Sequence, residues 1–223
     1  MLLAVVATVQ ERRALLGALS VEPCRVGPHH AVTTGTATVV VSGVGPAAAA
    51  AATATALALG TYQGVLSLGI CGGFRGAAQI GDVVVATDLV AADLGADSPE
   101  GFLAMGQLGW ADDSFPVPPD HVAAASKRLE GTVPVVTGPV ITVSTVTGTQ
   151  ERAGLLAERH GAVAEAMEGW GVLTGAEPYG LPVLEIRSVS NLVGRRDPST
   201  WDFPTAFASL GHIGAALLGQ PWL

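Results

Sequence analysis

Three positions carry side chains whose types and spacing suit chemistry: Glu11, Glu168 and Asn191. Glu11 follows the apolar run LLAVVAT and stands three residues after Thr8, the spacing of a helix capping box. The same carboxylate, at the carboxyl end of a strand, can serve as a general base. The two roles compete, because a base must keep an oxygen free for the proton it takes. Glu168, in EAMEG, opens a helix, where it either complements the helix dipole or accepts hydrogen bonds from two adjacent hydroxyls. Met167 beside it either lines a ligand face or fills core space. Asn191 ends the run VLEIRSVS, a point where an acid is the more familiar reactive group. Its amide brings two donor hydrogens and one acceptor, and asparagine also tolerates turn backbones.

Two glycine-rich turns follow apolar runs, SGVGP at residues 42–46 and LGICGGF at 68–74. Glycines such as Gly72 let backbone approach a ligand, and a helix N-terminus after such a turn favours electron-rich atoms. Ligand-free strand-to-helix connections look the same. Neither turn contains G-x-G-x-x-G or G-K-[ST], which argues against nicotinamide cofactors and nucleoside triphosphates. The histidines lack metal-ligand spacing, and Cys24 and Cys71 make neither a disulfide framework nor a metal motif. No cofactor and no metal are expected. Lys+Arg 11 against Asp+Glu 19 leaves a net charge of −8 with no basic footprint, which argues against nucleic acid as a partner. Arg195, Arg196 and Asp197 form either a plain surface cluster or a cation presented to an acidic group.

The elements that must position these groups read as an α/β domain. Short apolar runs alternate with helical stretches, and the runs lack polar alternation, as strands covered on both faces do. Strands are expected over residues 2–7, 37–42, 64–69, 82–87, 140–146 and 183–189. Helices are expected over residues 10–19, 47–59, 150–159, 169–174 and 203–218. Residues 94–119 are punctuated by Gly, Pro and Asp, carry Phe102, Met105, Trp110 and Phe115, and read as an irregular binding loop. One domain, residues 1–223, is expected, since no repeat or linker interrupts the chain. The start lacks a basic segment before its apolar run, and the longest apolar tract, residues 46–60, is too short for a membrane. A cytoplasmic protein with no membrane partner is the expectation.

Seven segments, in order, resemble the nucleoside phosphorylase/nucleosidase superfamily: VATVQERRALL, VSGVGPAAAA, SLGICGGF, IGDVVVATD, TVSTVTGT, EAMEGWG and RSVSNLVGRRD. Their order and spacing are similar to the methylthioadenosine/adenosylhomocysteine nucleosidases. TVSTVTGT, AMEG and SVSN-VG-RRD are most similar to the futalosine hydrolases. The resemblance implies a central mixed, twisted sheet flanked by helices, usually assembled as a homo-oligomer. It also implies cleavage of a purine–ribose N-glycosidic bond through an oxocarbenium-like transition state, with a small nucleoside and water as partners.

By the same resemblance Glu168 holds the ribose hydroxyls, Met167 lies beneath the sugar, and Glu11 activates water. Val146 and Thr147 match base-holding backbone positions, and with no aromatic residue there, stacking is expected from Phe74 or Trp170. At the position of Asn191 the adenine-specific relatives carry aspartate. The amide can point both donor hydrogens at the two acceptors of a 6-oxopurine edge, whereas a carboxylate repels the oxo group. The shortage of arginines around the glycine turns favours water over phosphate. Arg195 or Arg196 is expected to meet the acidic, benzoate-like arm of futalosine. An adenine-type nucleosidase, an inosine-type phosphorylase and a non-catalytic nucleoside-binding protein stay open as alternatives.

Overall fold

The computed structural model describes residues 1–17 and 19–219. In chain order the first half comprises β1 (Leu2–Val6), α1 (Val9–Leu16), β2 (Glu22–Val26), β3 (His29–Thr33), β4 (Ala37–Val41), α2 (Pro46–Leu59), β5 (Gly64–Gly73) and β6 (Val83–Ala91). A hairpin of β7 (Gly95–Ser98) and β8 (Gly101–Ala104) follows, then the short α3 (Met105–Leu108) and β9 (Ser114–Pro116). The rest comprises α4 (Pro119–Leu129), β10 (Val135–Thr142), α5 (Gln150–His160), β11 (Ala164–Ala166), α6 (Gly169–Ala176), β12 (Val183–Leu192) and α7 (Phe203–Leu218).

The main sheet runs β11-β10-β6-β12-β5-β1-β4-β3-β2, with β9 on β6. It mixes parallel pairs, such as β1 with β4 and β5, and antiparallel ones, such as β12 with β6. Strand β5 is long enough to serve two partners on one edge: β1 beside residues 64–67 and β11 beside Gly72 and Gly73. Because β11 also pairs with β10, the strands β5, β12, β6, β10 and β11 close into a ring. Helices cover the outside, and Leu3, Leu66, Leu68, Ile186, Leu210 and Ile213 form part of the fully buried core.

Two helices approach unusually closely. Helix α2 is an alanine-rich run begun by Pro46, and α6 carries Gly171 and Gly175. A Cβ on Gly171 would strike the Pro46 carbonyl, and one on Gly175 would lie 2.7 Å from the Ala50 oxygen. Only glycine allows this backbone-to-backbone contact. It brings the starts of both helices, Gly45 and Glu168, to one point.

Several expected spans shift. The strand expected at residues 140–146 lies at Val135–Thr142; Pro139, which has no N–H for a ladder, sits at a register shift after Gly138 rather than ending the strand. Strand β5 continues through Gly72 and Gly73 because β11 and β12 pair with them there. Helix α1 ends at Leu16, where the backbone N–H of Gly17 closes onto Arg13; Ala18, inside the expected helix, is outside the described residues. The polar hairpin β2–β3 and helix α4 were not expected. Residues 94–119 are not one irregular loop but a hairpin, a helical turn and an edge strand.

Candidate active site

A cavity of about 540 Å³ opens at the carboxyl ends of β1, β5, β11 and β12. Glu11, Gly72, Val146, Thr147, Met167, Glu168, Asn191, Arg195 and Arg196 all line it. Phe74 and Trp170 do not. Past Gly73 the Phe74 N–H donates to the Val163 carbonyl, continuing the β5–β11 register, and the ring packs with Val90, Ile141 and Val143 in a separate small core. Trp170 lies half-buried against the main core. The cavity's aromatic wall comes instead from Trp201, Phe203 and Phe207 around the start of α7. Trp201 meets Phe203 edge-on, with centroids 5.7 Å apart, and Phe203 stacks on Phe207.

Beneath the cavity lies Arg187, which is 1% exposed. Its Nε donates to Glu185 (2.8 Å), Nη1 to Glu168 (3.1 Å) and Nη2 to the Ser67 hydroxyl (2.9 Å). Glu11 adds a further electrostatic pull, so one cation serves three carboxylates. Burial opposes the guanidinium's charge, but Glu185, Glu168 and Glu11 outweigh it and hold its pKa above the ordinary value. Glu185 is fully buried, and its Oε2 has no hydrogen-bond partner. Burial raises its pKa, with Arg187 pulling the other way. A lone buried charge is costly, so Arg187 is structural mortar for carboxylates rather than a free anion receptor.

Glu11 forms the cap with one oxygen and turns the other away from it. Its Oε2 accepts from the Thr8 N–H (2.8 Å) while Thr8 Oγ1 accepts from the Glu11 N–H (3.1 Å), closing the capping box. Its Oε1 points the other way and accepts from the Ile70 N–H (3.0 Å). The approach requires glycine at position 69, where a Cβ would lie 2.5 Å from Glu11 Oε1 and 2.7 Å from Arg187 Nη1. Burial raises the Glu11 pKa, partly offset by the Ile70 N–H and by Arg187.

Glu168 occupies the N-cap position of α6 but makes no capping bond there. Its oxygens accept from the Gly45 N–H (3.1 Å) and from Arg187, which fixes the carboxylate at the cavity edge. Cys71 also lines the cavity, and burial pushes its thiol pKa well up, which disfavours the thiolate.

Asn191 reaches the cavity through a β-bulge. Val189 pairs with Cys71 and Asn191 with Gly72, leaving Ser190 as the extra residue. The insertion shifts Asn191 by one register position and reverses the face it presents. The Ser190 hydroxyl lies 2.9 Å from Asn191 Oδ1, and Asn191 Nδ2 donates to the Leu192 carbonyl at 3.3 Å. The expectation of two N–H groups aimed at a ligand is therefore altered: local backbone engages one, and the other has no partner among the described residues.

Across Gly72 stands a residue that sequence reasoning did not single out. Glu165 is buried, lines the cavity, and accepts from the Thr147 N–H (2.8 Å) and hydroxyl (2.5 Å). Burial raises its pKa and the Thr147 donors lower it. Glu165, Glu185 and Arg187 were legible in principle. Each is a charge inside an apolar strand, and such charges require partners.

The chain matches the family model described as the phosphorylase superfamily over residues 3–217, and it belongs to that superfamily. Among its relatives it is 48% identical over 192 residues to futalosine hydrolase from Acidothermus cellulolyticus, covering 85% of this chain and 78% of that protein. It is 49% identical over 150 residues to futalosine hydrolase from Streptomyces coelicolor, covering 67% of this chain but 62%, less than two thirds, of that relative. In structure it is similar to 5′-methylthioadenosine/S-adenosylhomocysteine nucleosidase from Neisseria meningitidis in complex with methylthio-immucillin-A. That likeness has a TM-score of 0.83 and 20% identity, covers 98% of each chain, and speaks to the fold.

Proposed function

We infer that this chain is a purine nucleosidase that hydrolyses the hypoxanthine–ribose bond of futalosine, a step toward menaquinone. The observation that carries the reading is one cavity bearing Glu11, Glu168 and Asn191, with the two carboxylates anchored beneath by Arg187. Glu168 accepts from the ribose hydroxyls over the sulfur of Met167. Glu11 orients a water and takes its proton as the oxygen bonds to the anomeric carbon and the bond to purine N9 breaks. The free N–H of Asn191 donates to the acceptor edge of the departing base, which gathers negative charge.

The placement of the cations supports hydrolysis over phosphorolysis. Arg187 spends its donors on Glu185, Glu168 and Ser67, and the arginines that line the cavity, Arg195 and Arg196, are exposed at its rim. Phosphate beside Glu11 would meet a carboxylate, with the nearby Arg187 already bonded to Glu185, Glu168 and Ser67. The aromatic group Trp201, Phe203 and Phe207, with the Arg196 guanidinium 4.9 Å above the Trp201 ring, suits a carboxylated aryl arm on the 5′ side.

A homo-oligomer in the cytoplasm is part of the same proposal. It is supported by exposed Leu94, Trp110, Phe115 and Leu155, and by the free thiols of Cys24 and Cys71. Light scattering and cell fractionation test these two points. The deciding experiment measures hypoxanthine release from futalosine and inosine in phosphate-free buffer and again with phosphate added. Free sugar and no phosphate dependence are expected. Release that requires phosphate refutes hydrolysis, and tight binding without release refutes catalysis.

A further inference from the structure

We propose that Glu165 is a specificity-determining residue, the acceptor for the N1–H of the departing 6-oxopurine; the assignment rests on the functional reading above. Its argument begins with register. Glu165 is paired with Gly72 across the antiparallel β11–β5 ladder, and Asn191 is paired with the same Gly72 across the parallel β12–β5 ladder. Residues in register present their side chains on one face. A Cβ on Gly72 would lie 2.8 Å from Val193 Cγ2 and 3.2 Å from Asn191 Nδ2, which fixes the face shared with Asn191, and all four residues line the cavity. Gly72 and the Val193 methyl thus form an apolar floor with an amide donor on one side and a carboxylate on the other.

The carboxylate is an acceptor by construction. Thr147 donates to one oxygen from its backbone N–H and to the other from its hydroxyl. These two bonds leave a lone pair on each oxygen, and the Thr147 donors favour the carboxylate form against burial, which acts more strongly and raises the pKa. A 6-oxopurine has an N1–H donor next to its C6 oxo acceptor. Glu165 and Asn191 offer the complementary pair, acceptor and donor, across the floor where such a base lies. A 6-aminopurine reverses both groups: its N1 needs a donor. The backbone donor nearest this carboxylate, the Thr147 N–H, is already spent on Glu165. The carboxylate therefore favours the oxo base twice, by accepting from N1–H and by removing a donor the amino base would use.

The discriminating variant is Glu165→Gln, which keeps size and shape while replacing one acceptor oxygen by an N–H donor. The wild type and the variant are compared for kcat/KM on inosine, futalosine and adenosine, with thermal unfolding as the check on folding. The expected result is a fall of about 10- to 100-fold on both 6-oxopurine nucleosides, and a clear drop in the inosine-to-adenosine ratio. A purely structural role lowers all three substrates together and leaves that ratio unchanged, and such a result overturns the assignment. If the variant does not fold, the wild type answers with [1-15N]hypoxanthine bound. A slowly exchanging N1 proton shifted downfield is expected, and an N1 proton in free exchange with water overturns it. Wild-type protein that releases no hypoxanthine at all refutes the function reading and this assignment with it. Release with an unchanged ratio refutes this assignment alone.

Discussion

Replacing Asn191 by aspartate tests the chemistry of base selection most directly. In the wild type the Ser190 hydroxyl lies against Oδ1, so Nδ2 is the atom held toward Leu192 and the cavity. In the Asp variant an anionic oxygen takes that place. It faces the Leu192 carbonyl across about the same 3.3 Å and meets the oxo group of the base with no hydrogen between them. The variant loses one donor to the leaving group and leaves an acceptor unpaired. Such losses cost about 1–3 kcal/mol when buried. Asn191 is only half-buried, so water relieves part of the charge, and one such loss rather than the sum of two is the better measure. The expected fall in kcat/KM on inosine or futalosine is roughly 5- to 150-fold. Release of hypoxanthine, followed by its oxidation to urate with xanthine oxidase, gives a continuous absorbance assay. Asn191→Ala separates lost donation from added repulsion, because it removes the donor without adding charge and is expected to fall less far. Activity of the Asp variant within about twofold of wild type refutes the role given to this amide.

Further outcomes follow from the buried charges and the rim. Glu11 must be unprotonated to take a proton from water, and its pKa is raised from 4.5, so kcat is expected to fall on acidification with a midpoint above 4.5. In Glu11→Gln the rate drops by about 10²–10⁴-fold, and a wild-type acid limb at or below the ordinary carboxylate value contradicts the assignment. Glu185 also has a raised pKa in the fold, so the stability it contributes is fully present below the unfolded value of 4.5 and is lost as pH rises through its folded pKa. Glu185→Gln cannot ionise, so its Tm relative to wild type is expected to climb as pH rises above 4.5. A flat difference across calorimetric scans counts against a raised pKa. Replacing Arg195 and Arg196 together by alanine is expected to raise KM for futalosine and spare inosine, which lacks the acidic arm. An unchanged KM for futalosine removes both arginines from recognition of that arm.

Much of the scaffold is written in local patterns that sequence reading can follow. The apolar runs of β1, β4, β6 and β12 and the alanine tract of α2 declare themselves, as does the capping box of Thr8 and Glu11. What stays hidden depends on pairing partners far away in sequence. Nothing in SVSN announces that Ser190 is an extra residue, because a bulge exists only relative to the strand beside it. Glu165 sits in a three-residue strand too short for periodicity, and its role emerges from pairing with Gly72. Phe74 follows the glycine stretch and suggests a stacking ring, yet its ring packs into the small core with Val90, Ile141 and Val143, and the aromatic wall comes from Trp201 and α7. The charges of Glu185 and Arg187 inside one apolar run, and of Glu165 in another, are the sequence signal of buried groups that need partners.

The glycine-mediated contact between α2 and α6 has a mechanical consequence. Two helices touching carbonyl to Cα have no side-chain layer on which to slide, so the Glu168 carboxylate at the head of α6 is locked to the start of α2. The opposite margin of the cavity is built differently: residues 194–203 lead from β12 into α7 with exposed arginines and one helical turn.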